Sequence, residues 1–319
     1  MGRDGPIGAT AACSGDNSLN GSRNIVRSIS KKIIPLKLLA IFFIAGLNGC
    51  DAHQPGEGPK MNEHVELRLN QSGDDLLKKY PGRFSVSKHP AGMNFYVADW
   101  NSDARGSVVI GQPDHAVTLP YVLGATGSDD SSFPDEHIIH WEITAGIAEG
   151  SPIGHDEARQ RFFSILQSLR NAGWVRATDI GEPRLNGKDA LNYRQTRASV
   201  YSLDTNYVLS LQEWMSLRSR TTWSLYSDHA YLDVSITRDP SKNDVTKPGA
   251  YFLEYSLQAQ NEYWRSVVGS GKRLNWKSEL PAVLAKGQIS RKSKEDELTK
   301  SHISIDEAYS DPPVPQLGP

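Results

Sequence analysis

The sequence predicts an α+β fold: a mainly antiparallel sheet with a few packed helices, preceded by a cleaved leader and a tether. Three observations carry this. Runs of β-branched and aromatic residues alternate with period two and come in clusters, at 83–123, 137–148 and 221–259, with few helical stretches between them. Clustering of that kind fits segregated α+β layers better than alternating βα units. One segment, 155–173, has clear helical periodicity instead. Hydrophobic residues make up 38% of the chain and all seven Trp lie after residue 99, so the core-forming material is in the later part.

The chain opens on a leader. Residues 1–49 carry a net charge of +4 and the remainder −6, a basic leader ahead of a mildly acidic body, as in exported proteins. Residues 38–47 form an apolar run of ten, short of the roughly 20 that a spanning helix needs. With Arg27, Lys31, Lys32 and Lys37 ahead of it, the run reads as the h-region of a signal peptide. Residues 1–25 are rich in Gly, Ser and Asn, unlike an n-region; a start at Val26 would leave a compact leader over 26–49.

The h-region runs into Leu47-Asn48-Gly49-Cys50. This resembles a bacterial lipobox, with Leu47 at −3, Gly49 at −1 and Cys50 at +1, while Asn48 at −2 departs from the usual small residue. The resemblance implies cleavage before Cys50, lipidation of its thiol and attachment to a lipid bilayer. Each buried CH₂ adds about 0.8 kcal/mol, so two or three acyl chains on one cysteine hold firmly. An uncleaved anchor and an unmodified cysteine beside an ordinary cleavage site are the alternatives. Asp51 resembles the signal that keeps enteric lipoproteins in the inner membrane, which slightly favours that membrane.

The expected organisation is a leader over 1–49, a lipidated tether over 50–72, a globular domain over 73–275, and a charged helix with a Pro-rich tail over 276–319. Polar residues with Gly and Pro make 51–72 a spacer. A short helix is expected over 73–80, with Ser72 as N-cap and Pro81-Gly82 as its stop. Segments 83–87 and 94–100 read as a hairpin. Segments 106–111 and 117–123 read as strands, the second confined to an edge or a break by Pro120. Residues 124–136, "GATGSDDSSFPDE", read as a loop, and 137–148 as a buried strand.

The helix over 155–173 carries Ala158, Phe162, Ile165, Leu169 and Ala172 on one stripe. Gly173 suits a left-handed cap, with Trp174 packing back on the last turn. In 175–209 the one signal is an Asn-Gly turn at 186–187. "SLQE" at 210–213 is a capping box opening a helix through Leu217. Segment 221–239 is a hairpin in which Leu232, Val234 and Ile236 face one way and Tyr231, Asp233 and Ser235 the other. Segment 251–269 reads as a strand passing into a helix. A charged helix over 279–300 leads to "DPPVPQLGP", which is expected to extend freely.

Chemical motifs are sparse. His137 and His140 lie three apart beside Glu136 and Glu142. On a helix two such His could share a metal, but in a strand they face opposite sides, and the pattern is not that of zinc proteases. His89, His115, His155 and His229 sit in turn-like contexts that suit solvated roles. The serine-hydrolase elbow Gly-x-Ser-x-Gly does not occur. "GSGKR" at 269–273 fails the spacing of a phosphate loop and reads as a turn. "RSRTTW" at 218–223 is a small basic cluster, either an anion site or a solvated strand edge.

Trp214, Trp223, Tyr226, Tyr231, Tyr255, Tyr263 and Trp264 are either core aromatics or a partner surface. No catalytic, cofactor-binding or metal-binding residue is assigned, and a net charge of −2 gives no nucleic-acid signal. Cys50 alone receives a role, lipidation.

Residues 214–240, "WMSLRSRTTWSLYSDHAYLDVSITRDP", resemble Gram-negative lipoproteins associated with contractile type VI secretion systems, some of them immunity or accessory proteins for lipase toxins. The resemblance implies a membrane-anchored, periplasm-facing protein-binding module and transfers no functional residue. The alternatives are a periplasmic hydrolase and a small-molecule sensor or assembly lipoprotein.

Overall fold

A ten-stranded sheet organises residues 64–111, 114–197 and 200–316, the residues described by the computed structural model. Its strands are β1 (His64–Leu67), β2 (Ser85–Lys88), β3 (Met93–Asp99), β4 (Gly106–Ile110), β5 (Val117–Asp130), β6 (Ile138–Gly146), β7 (Val175–Arg176), β8 (Thr221–Ser227), β9 (Ala230–Arg238) and β10 (Tyr251–Ala259). The helices are α1 (Gly73–Lys79), α2 (His155–Asn171), α3 (Gly187–Thr196), α4 (Leu211–Ser216), α5 (Gln260–Val268) and α6 (Trp276–Lys300). The strand order is β1-β4-β5-β6-β10-β9-β8-β7, with β2 and β3 branching from β5. Every pair is antiparallel except β1 with β4. The α+β class expected from the clustered strands is the class observed.

The apolar face is built by register. Ala125, Ile143, Tyr255, Val234 and Trp223 form one row across β5, β6, β10, β9 and β8, and Gly127, Trp141, Leu257, Leu232 and Leu225 form the next. Helix α2 covers this face with Phe162, whose ring lies 4.6 Å from Trp223, and α4 adds Trp214 at 5.6 Å from Phe162. Helix α2 ends as its sequence requires: Gly173 takes φ 92 and the Trp174 amide returns to the Leu169 carbonyl at 3.1 Å. The Ser72 cap and the capping box at Ser210 and Glu213 are both formed.

Several local expectations are corrected. Residues 64–67, read as tether, form β1, and Val65 and Leu67 are fully buried in the core. Residues 124–130, read as loop, are the second half of β5, paired with β3 on one side and β6 on the other. Gly127 answers to close packing here, since a Cβ on it would lie 2.7 Å from the Trp141 ring. Pro120 sits at an edge and a break, as its missing amide hydrogen requires: β6 pairs with β5 only from Val122 onward, β4 alone flanks this half of the strand, and a bulge opposite Ser107 with Tyr121 at φ 60 accommodates the ring. Asn186-Gly187 opens α3, with Asn186 at the N-cap position.

The tail is not free. The Tyr309 hydroxyl accepts from the Thr178 amide at 2.8 Å, Arg291 holds the Asp311 carboxylate, and Gln260 Nε2 donates to the Pro313 carbonyl at 2.6 Å. Helix α6 starts at Trp276 because that ring and Leu280 pack on Trp264 of α5. Farther along it is held by charge: Arg184 grips Glu295 through Nε and Nη2 at 2.9 and 2.8 Å. The leader, the lipobox, Asp51 and Cys50 lie outside the described residues.

Candidate functional site

The opposite face of the same five strands is polar. One row reads Thr126, Glu142, Ser256, Asp233 and Ser224, and its neighbour reads Gly124, Thr144, Glu254, Ser235 and Thr222. A third row reads Ser128, His140, Gln258, Tyr231 and Tyr226, and α5 closes its far end by stacking Tyr263 on Tyr231 with ring centroids 3.6 Å apart. Strand alternation produces this face: each polar residue alternates along its strand with a core residue. Burial of the core residues therefore forces the polar set onto one surface.

At its centre is a three-residue cluster. His140 Nε2 lies 2.8 Å from Ser256 Oγ and 3.0 Å from Glu142 Oε1, and Ser256 Oγ donates to the same carboxylate at 2.8 Å. Burial pushes the Glu142 carboxyl up, but the bonds and charge from His140 and the bond from Ser256 outweigh it and hold the group below its usual range. A hydrolytic triad needs the carboxylate on Nδ1 so that Nε2 faces the serine. Here both partners share Nε2 and the serine proton points at the carboxylate. The cluster therefore lacks the serine–histidine–carboxylate order of a hydrolytic triad.

Asp233 stands beside it in the central row. Water reaches the carboxyl, yet the surrounding strands desolvate it, and the charges of Asp179 and Glu142 add to this, so its pKa is pushed up to about 6 against the bonds offered by Ser224 and the charge of His140. Asp179, whose carboxyl is raised by burial and then by Glu182, lies 3.5 Å from the Tyr263 hydroxyl. Glu254 is paired with the exposed Arg220 at 3.4 Å. The face is thus an acidic floor with Glu142, Asp233, Glu254 and Asp179 on or beside it.

An acid whose folded-state pKa exceeds its unfolded value binds its proton more tightly when folded. Asp233 therefore costs stability when ionised, above about pH 6, and ceases to do so as pH falls towards its ordinary 3.8. Asp233→Asn is expected to raise the thermal midpoint at pH 7.5, with the gain over wild type shrinking through pH 6 and vanishing below pH 4. Melts across that range decide it; a difference that does not change with pH would refute the assignment.

The sequence-flagged residues scatter. His137, read as the first residue of the strand, instead caps a short turn at φ 56 just before β6, while His140 lies within β6. Glu136 pairs with Arg265 and accepts from Asn261 at 3.0 Å. His155, expected to be solvated, is buried, with Nδ1 2.5 Å from the Tyr251 hydroxyl and Nε2 3.2 Å from the Asp244 carbonyl. In the "GSGKR" turn, Arg273 is committed to Asp130 and Glu262. Of the seven clustered aromatics, six are buried and Tyr263 is half-buried, so they are core and not a partner surface.

Ser256, Asp233 and Asp179 carried no signal as site residues. The alternation His140-x-Glu142-x-Thr144 and Glu254-x-Ser256-x-Gln258 was the available clue. Among the described residues no group of three or more His, Cys, Asp or Glu could hold a metal ion, and no helix is long and apolar enough to cross a membrane. Comparison of the chain with protein-family models, curated proteins and solved structures finds no match.

Proposed function

We propose that this chain is an envelope lipoprotein, held on the bilayer by acylated Cys50, whose domain binds a partner protein on the open polar face of the sheet. The observation that carries the binding surface is the row Thr126, Glu142, Ser256, Asp233 and Ser224, a line of hydrogen-bonding groups across five strands, flanked by further carboxylates. Such a surface complements a partner presenting Lys and Arg, and its attraction should weaken with salt. The resemblance of 214–240 to lipoproteins of type VI secretion systems makes a secreted lipase toxin the first partner to test, with this chain as its immunity or accessory protein. Asp51 favours the inner membrane.

Two measurements separate the anchor from the surface. Labelled palmitate is expected to enter the native protein and to be absent from Cys50→Ser; full labelling of that variant sinks the anchor. The product of the adjacent gene is expected to co-purify with wild type. Combined Glu142→Lys and Asp233→Lys should lower its affinity at least tenfold with the thermal melt retained. Undiminished binding by that variant removes the polar face from the proposal.

A further inference from the structure

A separate cavity of about 220 Å³ opens where α4 meets the end of β9. Trp214, Leu217, Ile236 and Tyr251 give it an apolar wall, and Arg218 and Arg238 stand on its rim. Arg238 is fixed there: Nε donates to Asn243 Oδ1 at 2.7 Å and Nη2 to the Met215 carbonyl at 2.8 Å. Arg218 is exposed and donates to the Gln195 carbonyl at 3.2 Å.

Most arginines of the domain meet a carboxylate, among them Arg159, Arg184, Arg265, Arg273 and Arg291. Arg218 and Arg238 form no ion pair among the described residues. Arg194, close behind, is also held only by carbonyls, those of Tyr201 at 2.6 Å and Arg220 at 2.9 Å. Burial, and then the charge of Arg218, holds the Arg194 guanidinium below its usual range. Positive charge is therefore uncompensated around an apolar hollow, and the missing partner is an anion with an apolar body.

We propose that this cavity binds a small amphiphilic carboxylate, with the apolar part against Leu217 and Tyr251 and the carboxylate at Arg218. An engineered cavity of about 150 Å³ holds benzene, so this one has room for a ring with an acid attached. Guanidinium groups suit carboxylates because their paired N–H donors match the two oxygens. The site lies apart from the polar sheet row and does not depend on its partner.

Phenylacetate is the probe, titrated into the purified full chain in detergent, with Trp fluorescence and calorimetry as readouts. Saturable binding of phenylacetate is expected, at least tenfold tighter than that of neutral phenylacetamide. Arg218→Gln should weaken phenylacetate at least tenfold and leave phenylacetamide and the thermal melt unchanged. Absence of saturable binding, equal affinity for acid and amide, or indifference to Arg218→Gln each overturns the proposal.

Discussion

Arg265→Met is expected to lower the unfolding free energy by about 3–5 kcal/mol, the range for removing one partner from a buried ion pair. The Arg265 side chain is 0% exposed. It binds Glu136 of the turn after β5 and Glu262 of its own helix, and it lies over the Phe133 ring at 3.7 Å. Arg273 completes the network through Asp130 at 3.0 Å and Glu262 at 2.7 Å. Methionine fills most of the space but leaves Glu136 and Glu262 facing a desolvated hole. Adding Glu136→Gln should recover part of the loss, since a neutral amide costs less to bury. Urea unfolding of the single and double variants measures both terms. A single-variant loss below about 1 kcal/mol, the scale of an exposed pair, would mean that water enters and satisfies the carboxylates. Because α5 also carries Tyr263, which closes the end of the polar face on Tyr231, the same variant is expected to weaken partner binding.

What was legible in the sequence was local. The Ser72 and Ser210 caps, the α2 stripe with Gly173 behind it, and the β8–β9 hairpin each have their determinants within a few residues. The hairpin turn at Asp228 and His229 takes positive φ at both positions, as a two-residue connection demands, without a glycine to announce it. The site was not legible because its neighbours are distant in the chain. Glu142 meets Ser256, which meets Asp233, and this order follows from strand register alone. Helix α6 was visible as charged but not as packed, because its buried positions include Arg291 and Glu295, satisfied by the 179–184 segment rather than by an apolar stripe.

Gly127→Val is expected to destabilise the domain by about 3 kcal/mol, at the upper end of overpacking. A Cβ placed on Gly127 would lie 2.7 Å from the Cη2 and Cζ3 atoms of Trp141, its cross-strand partner. That ring has nowhere to go: it is fully buried, its Nε1 donates to the Arg68 carbonyl at 3.1 Å, and Phe84 meets it edge-on at 6.1 Å. Gly127→Ala should cost about 1–2 kcal/mol by the same contact with less bulk. Trp141→Leu costs stability by leaving a cavity, about 3 kcal/mol. Combined with Gly127→Val it should cost less than the two changes summed, because the added methyls enter the space the indole vacates. Strict additivity in that cycle would show that the ring yields freely, and the glycine would then need another cause. A loop would tolerate valine at this position; the size of the penalty therefore separates the two readings of 124–130.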